Sequence, residues 1–258
     1  MRYNLENKRM DKIKVEKINS VYEQPKQLKE YKREQREKFL DKCKEKEYFN
    51  GLNTRLVKLK NKDGEVSLLV EDVLYEDYLT TNLYYKDNVY DLLLKDKFME
   101  EHKEDMANQI GTSGVIVTLD GSYVIKERSN KVIKEKGKIE TSFSGALSLL
   151  KTGTLEDNLD QLVYKEMEEE LGIKSHEIEK IMLQSFYKDR TQLDKPEILF
   201  YITVNLKDDE IKERYEESVD RWESNKIDFV KNVEDIKEYK NKGKELSLNV
   251  MEFINTIG

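Results

Sequence analysis

The sequence predicts an α+β fold in which a mixed β-sheet is packed between helices, with a smaller α+β portion on its N-terminal side. Two pairs of strand-like segments, each pair joined by a hairpin-turn sequence, predict the β-structure. A segment with apolar residues four positions apart, ending at Gly172, predicts a helix after the second pair. We divide the chain into a charged helical arm (1–48), an N-terminal α+β portion (49–107) and a main domain (108–258).

The composition restricts the class of protein. Of 258 residues, 37% are hydrophobic and 38% are charged, and the formal net charge is -7. This balance gives no overall attraction to nucleic acid or to an anionic membrane, so we expect neither as a partner. The single cysteine, Cys43, favours a reducing compartment, and no apolar run approaches the ~20 residues of a membrane span. Because Met1–Lys17 also lacks a signal-peptide core, we expect a soluble cytoplasmic protein.

The charged arm is richest in Lys, Arg and Glu over Gln27–Lys46. Its few apolar residues would form a thin stripe on a helix. Two interpretations are open: a basic arm that binds RNA or a partner, and a solvated helix with charge pairs one turn apart that docks through a few contacts. The solvated helix accounts for the charges of this segment without a binding partner.

The N-terminal portion begins with two predicted strands, Leu52–Lys60 and Glu65–Val73, joined by the turn-forming sequence at 61–64. The stretch Tyr75–Asn82 and a tyrosine-rich segment follow, and Asp91–Met106 is predicted to be helical. Since no Pro-rich linker marks a boundary, we expect this portion to pack on the rest of the chain.

The main domain begins with a second hairpin. Val115–Leu119 and Tyr123–Glu127 are predicted strands, and Asp120 with Gly121 forms the turn. By alternation, Val124 and Lys126 share one face of the second strand. Four further segments complete the prediction. They are strands at Met182–Tyr187 and Glu197–Leu206, and helices at Asp208–Glu223 and Gly243–Ile257.

A helix over Leu159–Leu171 lies between the strand pairs, after the small-residue stretch at 142–146. Its residues Glu166, Glu169 and Glu170 stand at i, i+3 and i+4, so their side chains fall within an arc of about 100°. Three carboxylates this close repel each other, and the C-terminal end of a helix favours cations instead. Either the acidic face is fully solvated or a hard divalent cation such as Mg²⁺ or Mn²⁺ binds to it.

The segment Lys165–Ile173, K-E-M-E-E-E-L-G-I, resembles the second half of the Nudix box, R-E-U-x-E-E-x-G-U, where U is a bulky aliphatic residue. Lys165 replaces the arginine. The first half departs further, because Asp157 stands in place of the first glutamate and Lys151 in place of the glycine. The resemblance extends over about 108–258 and implies a mixed sheet between helices.

The resemblance also implies a reaction, in which water attacks a diphosphate that joins a nucleoside to another group, with Mg²⁺ or Mn²⁺ as cofactor. It implies that Glu166, Glu169 and Glu170 bind the metal together with the backbone carbonyl of Ala146. By the same analogy Lys165 positions a box glutamate and Gly172 ends the helix. A lysine orients a carboxylate less well than an arginine, and Lys165 is alternatively an ordinary surface residue.

The general base is left open between Glu169 and Glu197, which follows the turn at 194–196. Arg128 is a candidate for binding substrate phosphate, because a guanidinium suits bidentate phosphate contact, or it makes a salt bridge at a strand end. Tyr187 and Arg190 follow a strand and are candidates for lining the nucleotide pocket. Glu197 is alternatively a charge at a strand edge.

The segments Gly114–Thr118, Lys126–Ser129 and Tyr75–Asn82 are similar to a Nudix subgroup that hydrolyses UDP-sugars. They predict a nucleotide-sugar substrate for a pyrophosphohydrolase that is either monomeric or a homodimer. The alternatives are a nucleotide-binding module on the same fold with little or no activity, which the changes in the box favour, and an interaction protein that acts through Gln27–Lys46.

Overall fold

A computed structural model of the protein describes residues 9–26, 41, 50–62, 65–83, 102–132 and 134–257. The strands are β1 (Ile13–Val21), β2 (Leu52–Lys62), β3 (Glu65–Leu74), β4 (Gly111–Val117), β5 (Tyr123–Arg128), β6 (Ile139–Glu140), β7 (Phe143–Ala146), β8 (Gly153–Thr154), β9 (Ile178–Asp189), β10 (Lys195–Val204) and β11 (Ser224–Val230). The α-helices are α1 (Tyr75–Tyr78), α2 (Lys165–Leu171), α3 (Asp208–Glu216), α4 (Val233–Asn241) and α5 (Leu248–Ile257). Two π-helical turns cover Leu79–Leu83 and Asp160–Tyr164, and six 3₁₀ turns cover Met10–Lys12, Lys103–Asp105, Glu156–Asn158, Ser175–Glu177, Arg190–Gln192 and Arg221–Glu223.

Seven strands form the central sheet in the order β11-β5-β4-β10-β9, with β6 added to β5 and β7 added to β4. The β4–β10 pair is parallel, while β9–β10, β4–β5 and β5–β11 are antiparallel. The sheet is therefore mixed, as the sequence predicts. The turn between β4 and β5 is also confirmed, since Gly121 has a φ of 77° and its amide donates to the Thr118 carbonyl.

Helices cover both faces of this sheet. On one face Val124 and Phe200 pack with Met167 and Leu171 of α2 and with Ile211 of α3. One side of β10 lies here, because its residues Ile198, Phe200, Ile202 and Val204 all belong to this cluster.

The opposite face packs on α4 and α5, with Ile125 and Leu199 of the sheet against Ile236, Val250 and Phe253. The sheet therefore lies between two layers of helices, as the sequence predicts, because alternate residues of its strands are apolar on both sides.

The second sheet has the order β2-β3-β1-β8, and its last strand comes from the main domain. β8 pairs antiparallel with β1 through Lys14 opposite Thr154 and Val15 opposite Gly153. Ile13, Val66 and Leu68 of this sheet belong to the same apolar cluster as α2. The N-terminal portion therefore packs firmly on the main domain, as expected from the absence of a linker.

Part of the predicted arm is a strand. Ile13–Val21 form β1, parallel to β3, so the prediction of a helical arm over 1–48 is wrong for this stretch. The reason is a period-two alternation that the charge content concealed, because Ile13 and Val15 are buried while Lys14 and Glu16 are exposed. The charged segment Gln27–Lys46 lies outside the described residues, except for Asp41.

Helix α2 carries the box sequence and ends as predicted. Val163, Met167 and Leu171 are buried, and Gly172 adopts the left-handed conformation with a φ of 68°. The turn before α2 is π-helical rather than α-helical, a local widening that is frequent at functional sites.

Other boundaries differ from the predictions. The helix predicted at Asp208–Glu223 ends at Glu216, and its last three residues form a 3₁₀ turn. Of the helix predicted at Asp91–Met106, residues 91–101 lie outside the described part, and Lys103–Asp105 form a 3₁₀ turn. The strand β11 and the helix α4 were not predicted. None of the helices in the described part of the chain has the length and apolar character to span a membrane.

Candidate functional site

A cavity of about 420 Å³ opens where the N-terminal portion meets the central sheet. Its walls come from α1, the start of β4, β7, the start of β10 and the 3₁₀ turn before β11. The charged residues that line it are Arg128, Lys131, Lys134, Lys195, Glu135, Glu140, Glu197 and Glu223. Cations and anions are thus equal in number on the wall, so a ligand here would be recognised mainly by polar contacts.

The Glu166 carboxyl of α2 lies directly against the backbone of β7. A Cβ atom on Gly145 would overlap this carboxyl, so glycine is required for the close approach. Burial raises the pKa of Glu166 to about 8, and the neighbouring Glu170 carboxylate contributes to the rise. Gly145 itself lines the cavity, so Glu166 lies immediately behind the wall.

Glu170 is engaged at both of its oxygens. Oε2 accepts from the Nζ of Lys126 on β5, and Oε1 accepts from the Ser144 backbone amide at 3.0 Å. The Lys126 and Glu170 side chains are only 1% and 4% exposed. The alternation predicted for β5 explains the contact, because it turns Lys126 to the same face as Val124, toward α2.

Glu223 adds a further carboxyl to the site. It belongs to the 3₁₀ turn before β11 and lines the cavity. Burial raises the pKa of Glu223 to about 7, and the Glu170 carboxylate is the next largest cause of the rise. Both Glu166 and Glu223 therefore carry raised pKa values for the same reasons, namely limited solvent and the charge on Glu170.

Glu169 differs from the other box glutamates. Its side chain is 37% exposed, and one of its carboxylate oxygens lies 3.6 Å from the Lys165 Nζ. Lys165 therefore pairs with a box glutamate, in an ion pair that is largely in solvent.

The described residues contain no group of three Asp, Glu, His or Cys side chains already arranged around a metal position. The donor chemistry nevertheless suits a hard cation, because the half-buried Glu166 and Glu223 add carboxyl oxygens near the Glu170 carboxylate that accepts from Lys126. Mg²⁺ is usually held by one or two carboxylates plus substrate phosphates and water, so a complete protein cage is not needed.

Ala146 and Arg128 both line the cavity. Ala146 follows Gly145 on β7 and lines the cavity. Arg128 donates from Nη1 to the Ser144 hydroxyl at 2.9 Å and from Nε to the Lys134 carbonyl at 3.1 Å. Arg128 also lines the cavity, close enough to Glu135 and Glu223 to lower the proton affinity of both carboxyls.

A second buried ion pair lines the cavity. Lys195 donates from Nζ to Glu197 Oε1 at 2.5 Å, and both side chains are 5% exposed. A Cβ on Gly111 would overlap both charged groups, so this glycine makes room for the pair. The Tyr78 ring lies 5.6 Å from the Lys195 Nζ, and burial lowers the pKa of Lys195.

The stretch Tyr75–Asn82 forms the wall beside this pair, with Tyr75 and Tyr78 lining the cavity. The Tyr78 hydroxyl donates to Gln192 Oε1 at 2.6 Å, and Asn82 Nδ2 donates to the Gln192 carbonyl at 2.9 Å. These buried hydrogen bonds fix the N-terminal portion to the turn between β9 and β10.

Tyr187 and Arg190 do not line the cavity. Tyr187 packs in the cluster beneath α5, its hydroxyl donates to Asn249 Oδ1, and burial raises its pKa well above the usual value. Arg190 is exposed on the turn after β9. Being next to a strand end did not indicate which way these side chains point.

Sequence reasoning missed Lys126, Lys195 and Glu223. Alternation on β5 was a usable signal for Lys126, since it placed the lysine on the face of Val124. No comparable signal existed for Glu223, which was assigned to a helix and lies in a turn. Lys195 and Glu197 are two residues apart on one strand, so their contact was also within reach of alternation.

Comparison with known proteins finds related folds only at low similarity. Neither the family models nor the curated proteins contain a match. The structure is similar to a protein of Deinococcus radiodurans (TM-score 0.43, 11% identity, 57% of this chain and 81% of that one). It is also similar to a mutT/nudix family protein of Listeria innocua (TM-score 0.39, 16% identity, 58% of this chain and 90% of that one). A NUDIX hydrolase of Nitrosomonas europaea is similar as well (TM-score 0.38, 14% identity, 58% of this chain and 87% of that one). What the chain does is therefore decided by its own side chains.

Proposed function

We propose that this protein is a Nudix-type pyrophosphohydrolase that uses Mg²⁺ or Mn²⁺ to cleave a nucleoside diphosphate linked to another group. One observation carries the proposal: the Glu166 and Glu170 carboxyls lie against Gly145 and Ser144 of β7, which line the cavity together with the Glu223 carboxyl. The resulting excess of negative charge is unfavourable until a cation or protons neutralise it. The box sequence of α2 supplies two of the three carboxylates.

Each residue has a role in this proposal. Glu166, Glu170 and Glu223 hold the ion with the Ala146 carbonyl, and Arg128 binds a phosphate. A divalent ion there would neutralise the diphosphate and lower the pKa of the attacking water. Glu169 and Glu197 remain the two candidates for the base. The exposed carboxylate of Glu169 is freer to take a proton, whereas Glu197 lines the cavity with one oxygen bound to Lys195.

A nucleotide-sugar is the substrate that we propose, with UDP-sugars first. The cavity volume of about 420 Å³ is within the usual range for small-molecule sites. Its wall offers an ammonium, a carboxylate and two tyrosine rings, Tyr75 and Tyr78, which together suit hydroxyl groups and a flat ring. A cytoplasmic location, a homodimer, and the absence of nucleic-acid and membrane partners stay predictions from the sequence.

A second candidate function is a nucleotide-binding module without hydrolysis. The buried Lys126–Glu170 pair favours it, because a box carboxylate that the resemblance assigns to a metal is bound to a lysine instead. The replacement of the box arginine by Lys165 points the same way. This module would bind a nucleotide in the cavity and leave it intact.

One assay separates the two candidates. Nucleotide-sugars, dinucleotides and nucleoside triphosphates are incubated with the full chain and Mg²⁺ or Mn²⁺, and products are identified by mass. Release of a nucleoside monophosphate, abolished by EDTA and by Glu170→Gln, supports the hydrolase. The exposed Glu168 of the same helix provides a matched control, since Glu168→Gln should keep full turnover. Binding of a panel member without any product would establish the module instead.

A further inference from the structure

Two polar side chains in the cavity wall are buried, and the protein satisfies only one polar atom of each. Glu140 of β6 and Asn249 of α5 both line the cavity, and they are 1% and 8% exposed. Glu140 Oε1 accepts from the Thr141 amide at 2.8 Å, from the Thr141 hydroxyl at 3.0 Å and from the Ser247 hydroxyl at 2.8 Å. Within the described ranges, no hydrogen bond or ion pair reaches the second oxygen, Oε2.

Asn249 is anchored in the same way. Its Oδ1 accepts from the Tyr187 hydroxyl, and its Nδ2 has no hydrogen-bond partner in the part of the chain that the structure describes. The two side chains lie close together, because Ser247, which donates to Glu140, also donates its backbone amide to the Ile139 carbonyl at 2.8 Å and precedes Asn249 by two residues. The wall therefore presents one open acceptor, Oε2, and one open donor, Nδ2.

Buried polar atoms need hydrogen-bond partners, and a ligand in the cavity is placed to supply them here. A ligand group that satisfies both atoms must donate one hydrogen bond and accept another. Hydroxyls do both, so two neighbouring hydroxyls of a sugar ring match this pair. A phosphate offers oxygens rather than donors and is repelled by the Glu140 carboxylate, so this part of the wall suits the uncharged portion of a nucleotide.

We propose that Glu140 and Asn249 form a diol subsite, which selects ligands by two neighbouring sugar hydroxyls. Glu140 Oε2 accepts from one hydroxyl, and Asn249 Nδ2 donates to the other. The diol belongs either to the ribose of the nucleotide or to the sugar beyond the diphosphate, and both sources have the same chemistry. The inference rests on the proposed function for the choice of nucleotides as ligands, but its test measures binding and requires no turnover.

The test measures dissociation constants by isothermal titration calorimetry on the full chain in EDTA. The probes are UDP-glucose, UDP and 2′-deoxy-UDP, and the corresponding adenine series of ADP-ribose, ADP and 2′-deoxy-ADP. If the subsite binds the ribose, wild type should prefer the ribonucleoside diphosphate over its 2′-deoxy form about tenfold. If the subsite binds the second sugar, wild type should instead prefer the sugar-linked probe over the free diphosphate by about the same factor.

Two variants each change only the open atom. Glu140→Gln keeps Oε1 for its three donors, and Asn249→Asp keeps Oδ1 for the Tyr187 hydroxyl. Each should reduce the preference to about threefold or less, whereas a purely structural role would weaken both probes of a pair equally and leave their ratio unchanged. Because Asn249→Asp is read separately, the test remains decisive if Glu140→Gln folds poorly.

The double variant Glu140→Gln with Asn249→Asp exchanges the open acceptor and the open donor. Since hydroxyls can reverse their roles, this variant should recover most of the preference, which a structural role does not predict. Glu245→Gln provides the matched control, because Glu245 precedes Ser247 by two residues and its side chain is 77% exposed. The control should keep the wild-type ratio.

The outcomes separate this inference from the proposed function. If the substrate panel yields no product but both single variants lose the preference, the hydrolase proposal fails and the diol subsite stands. If the panel yields product and the variants keep the wild-type ratio, Glu140 only ties β6 to α5 and the inference fails alone. Wild type that binds neither series, or that binds without either preference, overturns the inference as well.

Discussion

Two lysine–glutamate pairs of almost equal burial lie on opposite faces of the central sheet. Lys126 shares its face with Val124, whereas Glu197 shares its face with Leu199, which packs on the other layer of helices. Near Glu170 lie two half-buried carboxyls, Glu166 and Glu223, whose pKa values are raised. The Tyr78 ring lies beside Lys195–Glu197, and Gly111 leaves space for the two charged groups.

The difference shows that the same type of ion pair can serve two purposes. The Lys195–Glu197 pair is balanced, so it offers a fixed donor and acceptor in the cavity wall without needing another ion. At the box end a negative charge remains to be neutralised, so a divalent cation would bind there and would in turn attract the diphosphate. We call these the balanced end and the acidic end.

The largest expected effect is on turnover, and it should differ between variants at the acidic end and variants at the balanced end. Glu166→Gln at the acidic end should lower kcat roughly 10²- to 10⁴-fold, because a lost metal ligand removes several kcal/mol of transition-state stabilisation. Glu197→Gln at the balanced end should raise KM about tenfold and change kcat little. Steady-state kinetics on the substrate identified by the panel measures both. A fall in kcat for Glu197→Gln as large as that for Glu166→Gln would make Glu197 the base.

Loss of one partner should cost the most stability at the balanced end. Lys195→Met leaves the Glu197 carboxylate buried and unpaired, which should lower the free energy of unfolding by about 3–5 kcal/mol. Replacing both residues, as Lys195→Met with Glu197→Leu, should restore most of that loss. Urea denaturation gives the values, and a cost below ~1 kcal/mol for the single variant would mean that Glu197 remains solvated.

At the acidic end, removal of a charge should stabilise the metal-free protein. The folded-state pKa of Glu166 is raised to about 8, above its usual value of 4.5, so its ionisation opposes folding. In EDTA, wild-type stability should therefore fall as the pH rises from about 5 to 8. Glu166→Gln should lose this part of the pH dependence and be more stable than wild type at pH 8 by roughly 1–3 kcal/mol. Denaturation at several pH values measures it, and identical pH profiles would contradict the assignment.

The smallest effect concerns the tyrosine beside the balanced pair. Tyr78→Phe removes the hydroxyl that donates to Gln192 and keeps the ring near Lys195. The free energy of unfolding should fall by about 0.5–1.5 kcal/mol, and kcat should stay within about twofold of wild type. A larger fall in kcat would mean that the Tyr78 hydroxyl contacts substrate. No separate control variant is needed for this experiment, because Tyr78→Phe preserves the aromatic ring.

Local patterns were enough for much of the fold. The four-residue spacing of Val163, Met167 and Leu171, followed by Gly172, correctly predicted the buried stripe and the end of α2. Alternation also places Ile198, Phe200, Ile202 and Val204 on one side of β10. The same rule would have found β1, whose apolar residues alternate with charges, had the high charge of the first 48 residues not dominated the interpretation.

Contacts between distant segments were not predictable in the same way. Glu166 and Glu170 follow from helix periodicity, but their neighbours depend on how α2 lies against β5, β7 and the turn at Glu223. Whether a glutamate meets solvent, a lysine or another glutamate is fixed by that packing. For this reason three box glutamates with equal standing in the sequence have three different surroundings in the structure.

The pairing of β8 with β1 has a consequence for how the chain can be made. During synthesis the N-terminal sheet keeps an open edge until Gly153 and Thr154 have left the ribosome, so the first part of the protein is incomplete while it waits for the second. The N-terminal sheet is therefore completed only late, when β8 pairs with β1. A deletion designed to remove the charged segment Gln27–Lys46 must begin after Val21, because a deletion that begins earlier removes part of β1, the strand with which β8 pairs.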